Sequence, residues 1–354
     1  MPPDPQLRSH GPALRTPLLA LGIGLAVLVL GLATAGYPPL PALAALWRGA
    51  LGSPDAILSA LLPRAIPLIL IGLGIGLAFR AGAFNIGAEG QFYAGAIAAT
   101  WVGLALGTWP RLVAVPTVLL AGFAAGLAWA AVPALLRVRF GVLEVISTLL
   151  LNFVAEALVS WMVLGPLQES KHTYPQSDPL PWAARLPQFP GSRLHLGLLV
   201  ALCLALALWL FGRRTLAGFQ LRAVGLSPAA ARVMGGVRPE RFFAAALLVS
   251  GAFAGLAGAS EVSGTTFALF QNLSPGFGFT GIAVALLARL HPLGIVATGL
   301  LFAGLEAGAG AMQRDAGVPA VAVYVVEAVV ILTIVLADPA ARRAGAAATD
   351  PASR

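Results

Sequence analysis

The chain has 354 residues, of which 58% are hydrophobic and only 10% charged, with a formal net charge of +8. A soluble globular domain carries about 25% charged residues, so this composition excludes one and specifies a polytopic, all-α membrane protein. The excess charge is almost all arginine, Lys171 being the only lysine, and in such a chain it reports orientation rather than nucleic-acid binding.

Arg8 and Arg15 precede the first apolar run, Leu18–Gly36, which reads as a span rather than a cleaved signal peptide because it is long and more spans follow. A span needs about 20 apolar residues. Further windows of that kind are Leu58–Phe79, Phe84–Leu106, Leu112–Leu136, Val145–Gly165, His195–Phe211, Phe242–Gly264, Leu273–Leu290, Leu293–Met312 and Val318–Leu336, which makes about ten in all. Pro275, Gly276 and Gly278 interrupt the start of the Leu273–Leu290 window. With the N-terminus inside, the arginines of the inner segments outnumber those of the outer ones, so both termini are expected in the cytoplasm. Residues 1–17 read as a cytoplasmic N-terminus, 18–337 as one transmembrane domain, and 338–354, rich in Ala and Pro, as a disordered cytoplasmic tail.

The stretch from Arg80 to Gly107 sets Asn85, Glu89 and Gln91 among Gly82, Gly87 and Gly90, with apolar sequence on both sides. An ionisable residue there faces a cavity or a protein partner if it lies within the bilayer. The reading is a discontinuous transmembrane helix in which Asn85 N-caps the following segment and Glu89 falls one turn later. The competing reading is a hairpin tip at the membrane surface with both residues solvated, and residue types alone do not choose. A second mixed segment, Thr265–Thr280, brings Gln271, Asn272 and Phe277 together with Pro275 and two glycines. By the span count the two segments face opposite sides of the membrane, as in an inverted repeat with corresponding breaks. Small residues recur four apart, as in Gly95/Ala99/Gly103, Gly122/Gly126 and Gly251/Gly255, and these are packing positions.

Two loops stand out. The outer loop, 166–194, is proline-rich and carries Lys171, His172, Tyr174, Asp178 and Trp182; it either meets a partner or is a passive surface loop. The inner segment, 212–241, contains Ser227-Pro228, a helix start, and Gly235-Gly236, a helix stop. The expected element is a short helix, Pro228 to Met234, preceded by a turn over Phe219–Val224 that Gly225 breaks off. So short a helix needs a surface to lie against, either lipid headgroups or a groove on another protein.

Several chemistries are missing. There is no phosphate-binding G-x-x-x-x-G-K-[ST] loop, no H-E-x-x-H and no nucleophile elbow, and Cys203 is alone in an apolar run. No catalytic residue, metal site or cofactor is expected. The intramembrane acids Glu156, Glu261, Glu306 and Glu327 are candidates for a proton relay, against which stands structural pairing within the bundle.

Four segments carry a family resemblance: F-N-I-G-A-E-G-Q (Phe84–Gln91), F-G-V-L-E-V-I-S-T-L-L-L-N (Phe140–Asn152), R-A-V-G-L-S-P-A-A-A-R (Arg222–Arg232) and L-S-P-G-F-G-F-T-G-I-A-V-A-L-L-A-R-L-H-P-L-G (Leu273–Gly294). The chain resembles the permease subunits of nucleoside-type ABC importers served by a lipoprotein of the basic membrane protein family, within the branched-chain amino acid and ribose permease superfamily. The likeness implies a bacterial inner-membrane subunit in lipid that is not an enzyme. It implies a separate ATP-binding subunit, a second homologous permease and a lipoprotein binding protein as partners. The 212–241 segment would couple to the ATPase through Arg222, Gly225, Ser227, Pro228, Ala230, Arg232 and Gly235. The breaks would line the path, and nucleoside cargo, uncharged and flat, suits Asn85, Gln91, Phe92, Asn152, Gln271, Asn272 and Phe277 as lining residues. Glu89 would hold the break open by accepting from freed backbone N–H groups. The alternatives are a sugar or branched-chain amino acid permease of the same superfamily, or an ion-coupled carrier working through Glu156 or Glu327, which has no need of the 228–234 helix.

Overall fold

The computed structural model describes residues 15–319 apart from Gly236, together with residues 321, 322, 324, 325, 328 and 329. Among the described residues all regular structure is helical, apart from two isolated bridges. The chain divides into two compact units, residues 1–49 with 308–354, and residues 50–307. The first contains α1 (Arg15–Thr34) and all but the last turn of α2 (Pro39–Leu51), an element the sequence windows did not include. Within it Arg48 pairs with Asp315 at 3.6 Å, and a Cβ at Gly308 would lie 2.5 Å from the Leu46 carbonyl oxygen.

The 50–307 unit begins with a π-helical turn, Ala56–Leu61, running into α3 (Leu62–Arg80). Then come α4 (Ala88–Ala105), α5 (Arg111–Phe140), α6 (Glu144–Leu164), α7 (Gly197–Arg214), α8 (Leu216–Leu226) and α9 (Pro228–Gly235). The long α10 (Pro239–Glu261) ends in a second π-helical turn, Val262–Thr266, and is followed by α11 (Phe277–Leu287) and α12 (Pro292–Ala316). Helix α10 is the axis of the unit and packs on α3, α4 and α5.

Glycines make that packing possible. A Cβ at Gly95 would fall 2.1 Å from the Gly255 carbonyl oxygen, one at Gly126 2.2 Å from that of Gly251, and one at Gly258 2.0 Å from that of Phe92. Lipid supplies no hydrophobic drive between helices, so close backbone approach and dispersion have to hold α4, α5 and α10 together. The small-residue spacing predicted this seam, and the structure shows which partner each glycine meets.

The count of about ten spans is not reproduced as such. Among the described residues six helices are long and apolar enough to cross a membrane: Ala56–Arg80, Arg111–Phe140, Glu144–Leu164, Gly197–Arg214, Pro239–Thr266 and Pro292–Ala316. The Leu273–Leu290 window shrinks to the 11 residues of α11. Its first residues form a turn in which Gly276 takes φ 102°, and Arg289 and Leu290 end it at φ 49° and 60°. Helix α4 has 18 residues but spends its first turns on Glu89, Gln91 and Tyr93. In α1 the apolar part within reach is Gly22–Thr34, and most of Val318–Leu336 lies outside the described residues.

Candidate functional site

The first break, residues 81–87, joins α3 to α4; Phe84 in it is exposed, but Asn85 and, just beyond it, Glu89 are buried, so neither is solvated. Asn85 is fully buried and every polar atom of its amide is used. Its Nδ2 donates to Gln91 Oε1 at 2.7 Å and to Ser250 Oγ at 2.9 Å. Its Oδ1 accepts from Gln91 Nε2 at 3.1 Å and from the Gly87 N–H at 2.9 Å. Asn85 is therefore not the N-cap of α4, which is Gly87. The capping comes from another helix: Asn152 on α6 accepts from the Gly90 N–H at 2.8 Å and donates to the Ile86 carbonyl at 2.9 Å. Gly90 makes room for it, since a Cβ there would lie 2.9 Å from the Leu151 carbonyl oxygen.

The second break, residues 267–276, joins the end of α10 to α11. Ser274 Oγ accepts from the N–H groups of Gly276 and Phe277 and so opens α11. The next donor, the Gly278 N–H, goes to Glu89 Oε2 at 2.6 Å, and the Ser274 N–H reaches Tyr93 Oη at 3.4 Å. A Cβ at Gly278 would sit 2.2 Å from the Glu89 nitrogen. The first turns of α4 and α11 thus meet, with the Glu89 carboxylate at both N-termini, where the helix dipoles favour a negative charge. The Phe92 and Phe277 rings pack beside this junction with centroids 5.9 Å apart.

The 166–194 loop covers the second break. Backbone bonds run from the N–H groups of Ser177, Leu180 and Leu186 to the carbonyls of Leu269, Phe267 and Ser263. Ser177 Oγ accepts from the Leu269 N–H at 3.0 Å, and the Arg185 guanidinium lies 4.7 Å over the Phe267 ring. These contacts hold Phe267 at φ 57°, an uncommon conformation for residues other than glycine, which Asn272 shares. The loop is a structural strap rather than a passive connection.

A polar cleft of about 320 Å³ opens between α4, α6 and the second break. It is lined by Tyr93, Phe153, Glu156, Ser160, Gln271 and Asn272 among others. Of the seven lining residues expected from the sequence, the structure brings Gln271 and Asn272 here. Asn85, Gln91 and Asn152 are not on the cleft, because their amides are closed on one another, on Ser250 and on the α4 backbone. Phe92 and Phe277 are also absent, being 0% and 3% exposed in the core. Tyr93, Phe153, Glu156 and Ser160 were not anticipated as lining. The i, i+4 series Asn152, Glu156, Ser160 was the available signal: a polar stripe on an otherwise apolar helix. Glu156 is exposed to the cleft rather than paired within the bundle.

At the opposite break lies the 212–241 segment. Helix α8 is longer than the expected turn and runs through Gly225, with Thr215 as N-cap accepting from the Gly218 N–H at 3.0 Å. Gly225 is not a breaker. A Cβ there would fall 1.9 Å from the Arg80 carbonyl oxygen, so it lets α8 lie directly on the end of α3, where the first break begins. Helix α9 forms as expected after Ser227, whose Oγ accepts from the Ala230 N–H at 3.3 Å. Leu221 packs with Ala81 and Ala246, Val224 with Ala231 and Val237, and Arg232 pairs with Glu240. Pro228 and Ala230 are exposed, and the apolar Leu226 at the end of α8 and Val233 on α9 leave 88% and 86% of their surface open.

Comparison with known proteins adds the context. The family model "Branched-chain amino acid transport system / permease component" matches residues 57–336. A glucose ABC transporter permease of Haloferax volcanii is 36% identical over 334 residues, 91% of this chain and 87% of that one. A guanosine ABC transporter permease of Bacillus subtilis is 37% identical over 327 residues, 91% and 92% of the two chains. A nucleoside ABC transporter permease of Lactococcus lactis is 33% identical over 331 residues, 90% and 89%.

Proposed function

The chain belongs to the branched-chain amino acid transport system permease family, as a multi-pass ABC transporter permease that leaves ATP hydrolysis to a separate subunit, and from that premise we propose that it imports nucleosides. The observation that carries the reading is the polar cleft. Its amides, Gln271 and Asn272, its hydroxyl, Ser160, and its aromatic face, Phe153, match the donors, acceptors and flat base of a nucleoside. The one carboxylate, Glu156, is an acceptor for ribose hydroxyls. The relatives whose names specify guanosine and nucleosides support this cargo.

In this reading the two breaks are the matched halves of an inverted repeat, and the residues locked at their junction set the shape of the path rather than touch cargo. Residues 18–337 form the permease domain, with both termini and the 338–354 tail in the cytoplasm. A lipoprotein delivers cargo to the outer side, a second permease completes the pathway, and the exposed Leu226 and Val233 of the coupling segment dock on the ATP-binding subunit.

A second reading, sugar import, is favoured by the glucose permease relative. Competition separates them: in cells carrying the full transporter, labelled guanosine uptake is expected to fall with excess adenosine or uridine and to be untouched by excess glucose. Competition by glucose alone replaces the nucleoside with a sugar. An uncoupler at constant ATP is expected to leave uptake intact; its collapse would transfer the energy source to Glu156 and the proton gradient.

A further inference from the structure

Helices α3, α7 and α8 and the start of α12 enclose a narrow crevice on the side of the coupling segment, away from the polar cleft. It holds about 20 Å³ between the buried Leu73 and Ile295, while Leu77, Leu208 and Phe211 are only half-buried, on helices long and apolar enough to cross a membrane. Its mouth holds Arg80 and Arg222. Arg80 is half-buried, and its Nη1 lies against Gly212, 3.7 Å from where a Cβ would stand. Arg222 lies within electrostatic range of Arg80, and His291 within range of both Arg80 and Arg213. Among the described residues the ion pairs are Arg48–Asp315, Arg137–Glu144 and Arg232–Glu240; none neutralises Arg80, Arg213 or Arg222.

Gathering like charges at a partly buried mouth is unfavourable unless an anion joins them. Guanidinium forks match phosphate oxygens in geometry, and the apolar wall directly below suits a hydrocarbon chain. We infer that the mouth of this crevice binds one anionic phospholipid, its phosphate held by Arg80 and Arg222 with Arg213 and His291 beside it, and its acyl chain lying over the half-buried Leu77, Leu208 and Phe211. The ammonium of a zwitterionic lipid would meet the same cations, so the site discriminates against phosphatidylcholine. On this account Arg222 faces lipid rather than the ATPase, which leaves docking to Leu226 and the exposed residues of α9.

The test uses the full chain purified in a neutral detergent, with lipid retention read by native mass spectrometry and stability by thermal unfolding. Three probes are added separately: phosphatidylglycerol, phosphatidylcholine and glycerol phosphate. Phosphatidylglycerol alone is expected to be retained and to stabilise. Arg213→Gln with Arg222→Gln, two exposed positions, is expected to weaken phosphatidylglycerol binding roughly tenfold while the far-UV circular dichroism stays that of the parent. Arg80→Gln should do the same; if it fails to fold, the exposed pair decides. Equal retention of phosphatidylcholine, or undiminished phosphatidylglycerol binding by the double variant, overturns the proposal. Stabilisation by glycerol phosphate equal to that by phosphatidylglycerol also overturns it and makes the site one for a soluble phosphate.

Discussion

Asn85 shows what a buried amide does when all its atoms are engaged. It lies at the centre of a set of bonds to Gln91, Ser250 and Gly87, and none of its capacity is left for cargo. Truncation to Ala leaves several buried groups unpaired, each at a cost of about 1–3 kcal/mol. Asn85→Ala is therefore expected to lower the yield and thermal stability of the transporter and its uptake together. A variant that assembles at parental yield but transports poorly would return Asn85 to the path. Glu89 differs because its role needs an acceptor. Glu89→Gln keeps an oxygen for the Gly278 N–H and loses the dipole contribution, up to about 2 kcal/mol away from solvent. Glu89→Ala orphans the donor. The expected stability order is parent, then Gln, then Ala, read by thermal unfolding, and equal loss in Gln and Ala would mean that the charge rather than the bond is what counts.

At the scale of elements, the contact between α8 and α3 is the informative one. Gly225 sits on the Arg80 carbonyl, and Arg80 is followed at once by the first break, so a displacement of the 212–241 segment, proposed to couple to the ATPase, bears directly on the chain leading to Asn85. Interfaces packed this closely shift between discrete arrangements rather than deform continuously. Gly225→Ala forces the helices apart, because nothing flexible stands at 1.9 Å to give way. The expected result is cargo-stimulated ATP hydrolysis that falls well below the parent in the reconstituted transporter, with membrane insertion unchanged. Parental stimulation would remove this contact from coupling. Gly255→Val is expected to act differently, by separating α10 from α5 and abolishing assembly, which size-exclusion profiles of the solubilised protein would show.

For the whole molecule, the 166–194 strap introduces a pH dependence. Glu169 is held below the usual carboxylate range by donation from the Gln176 amide and the Tyr174 and Thr173 N–H groups, and Asp178 by the Ser170 hydroxyl and N–H. Unfolded values are about 4.3 and 3.9. Folded values below these mean that the ordering is fully present above the unfolded values and is lost as pH falls through the folded ones. Hydrogen exchange is expected to show the Ser170, Thr173 and Tyr174 amides protected near neutral pH and released in acid. In Glu169→Gln with Asp178→Asn this acid release should flatten; an acid limb that persists unchanged assigns it to other groups.

Membrane residence, helical class, the packing glycines and the permease family were all legible in the sequence. Composition and four-residue spacing are local or additive properties, and the family segments are contiguous. So was the existence of two polar breaks, because glycines and amides inside apolar runs mark them in one dimension. The capping partners were not legible: Asn152 lies 62 residues from Gly90, and Glu89 lies 189 residues from Gly278. A backbone donor freed at a helix start takes an acceptor from any element that packing brings near, and chain order carries no record of that choice. The same reason moved the candidate path. Amides judged by type alone looked available, whereas the fold consumed Asn85, Gln91 and Asn152 in its own bonds and left Gln271 and Asn272, beside Tyr93 and Glu156, to face open space.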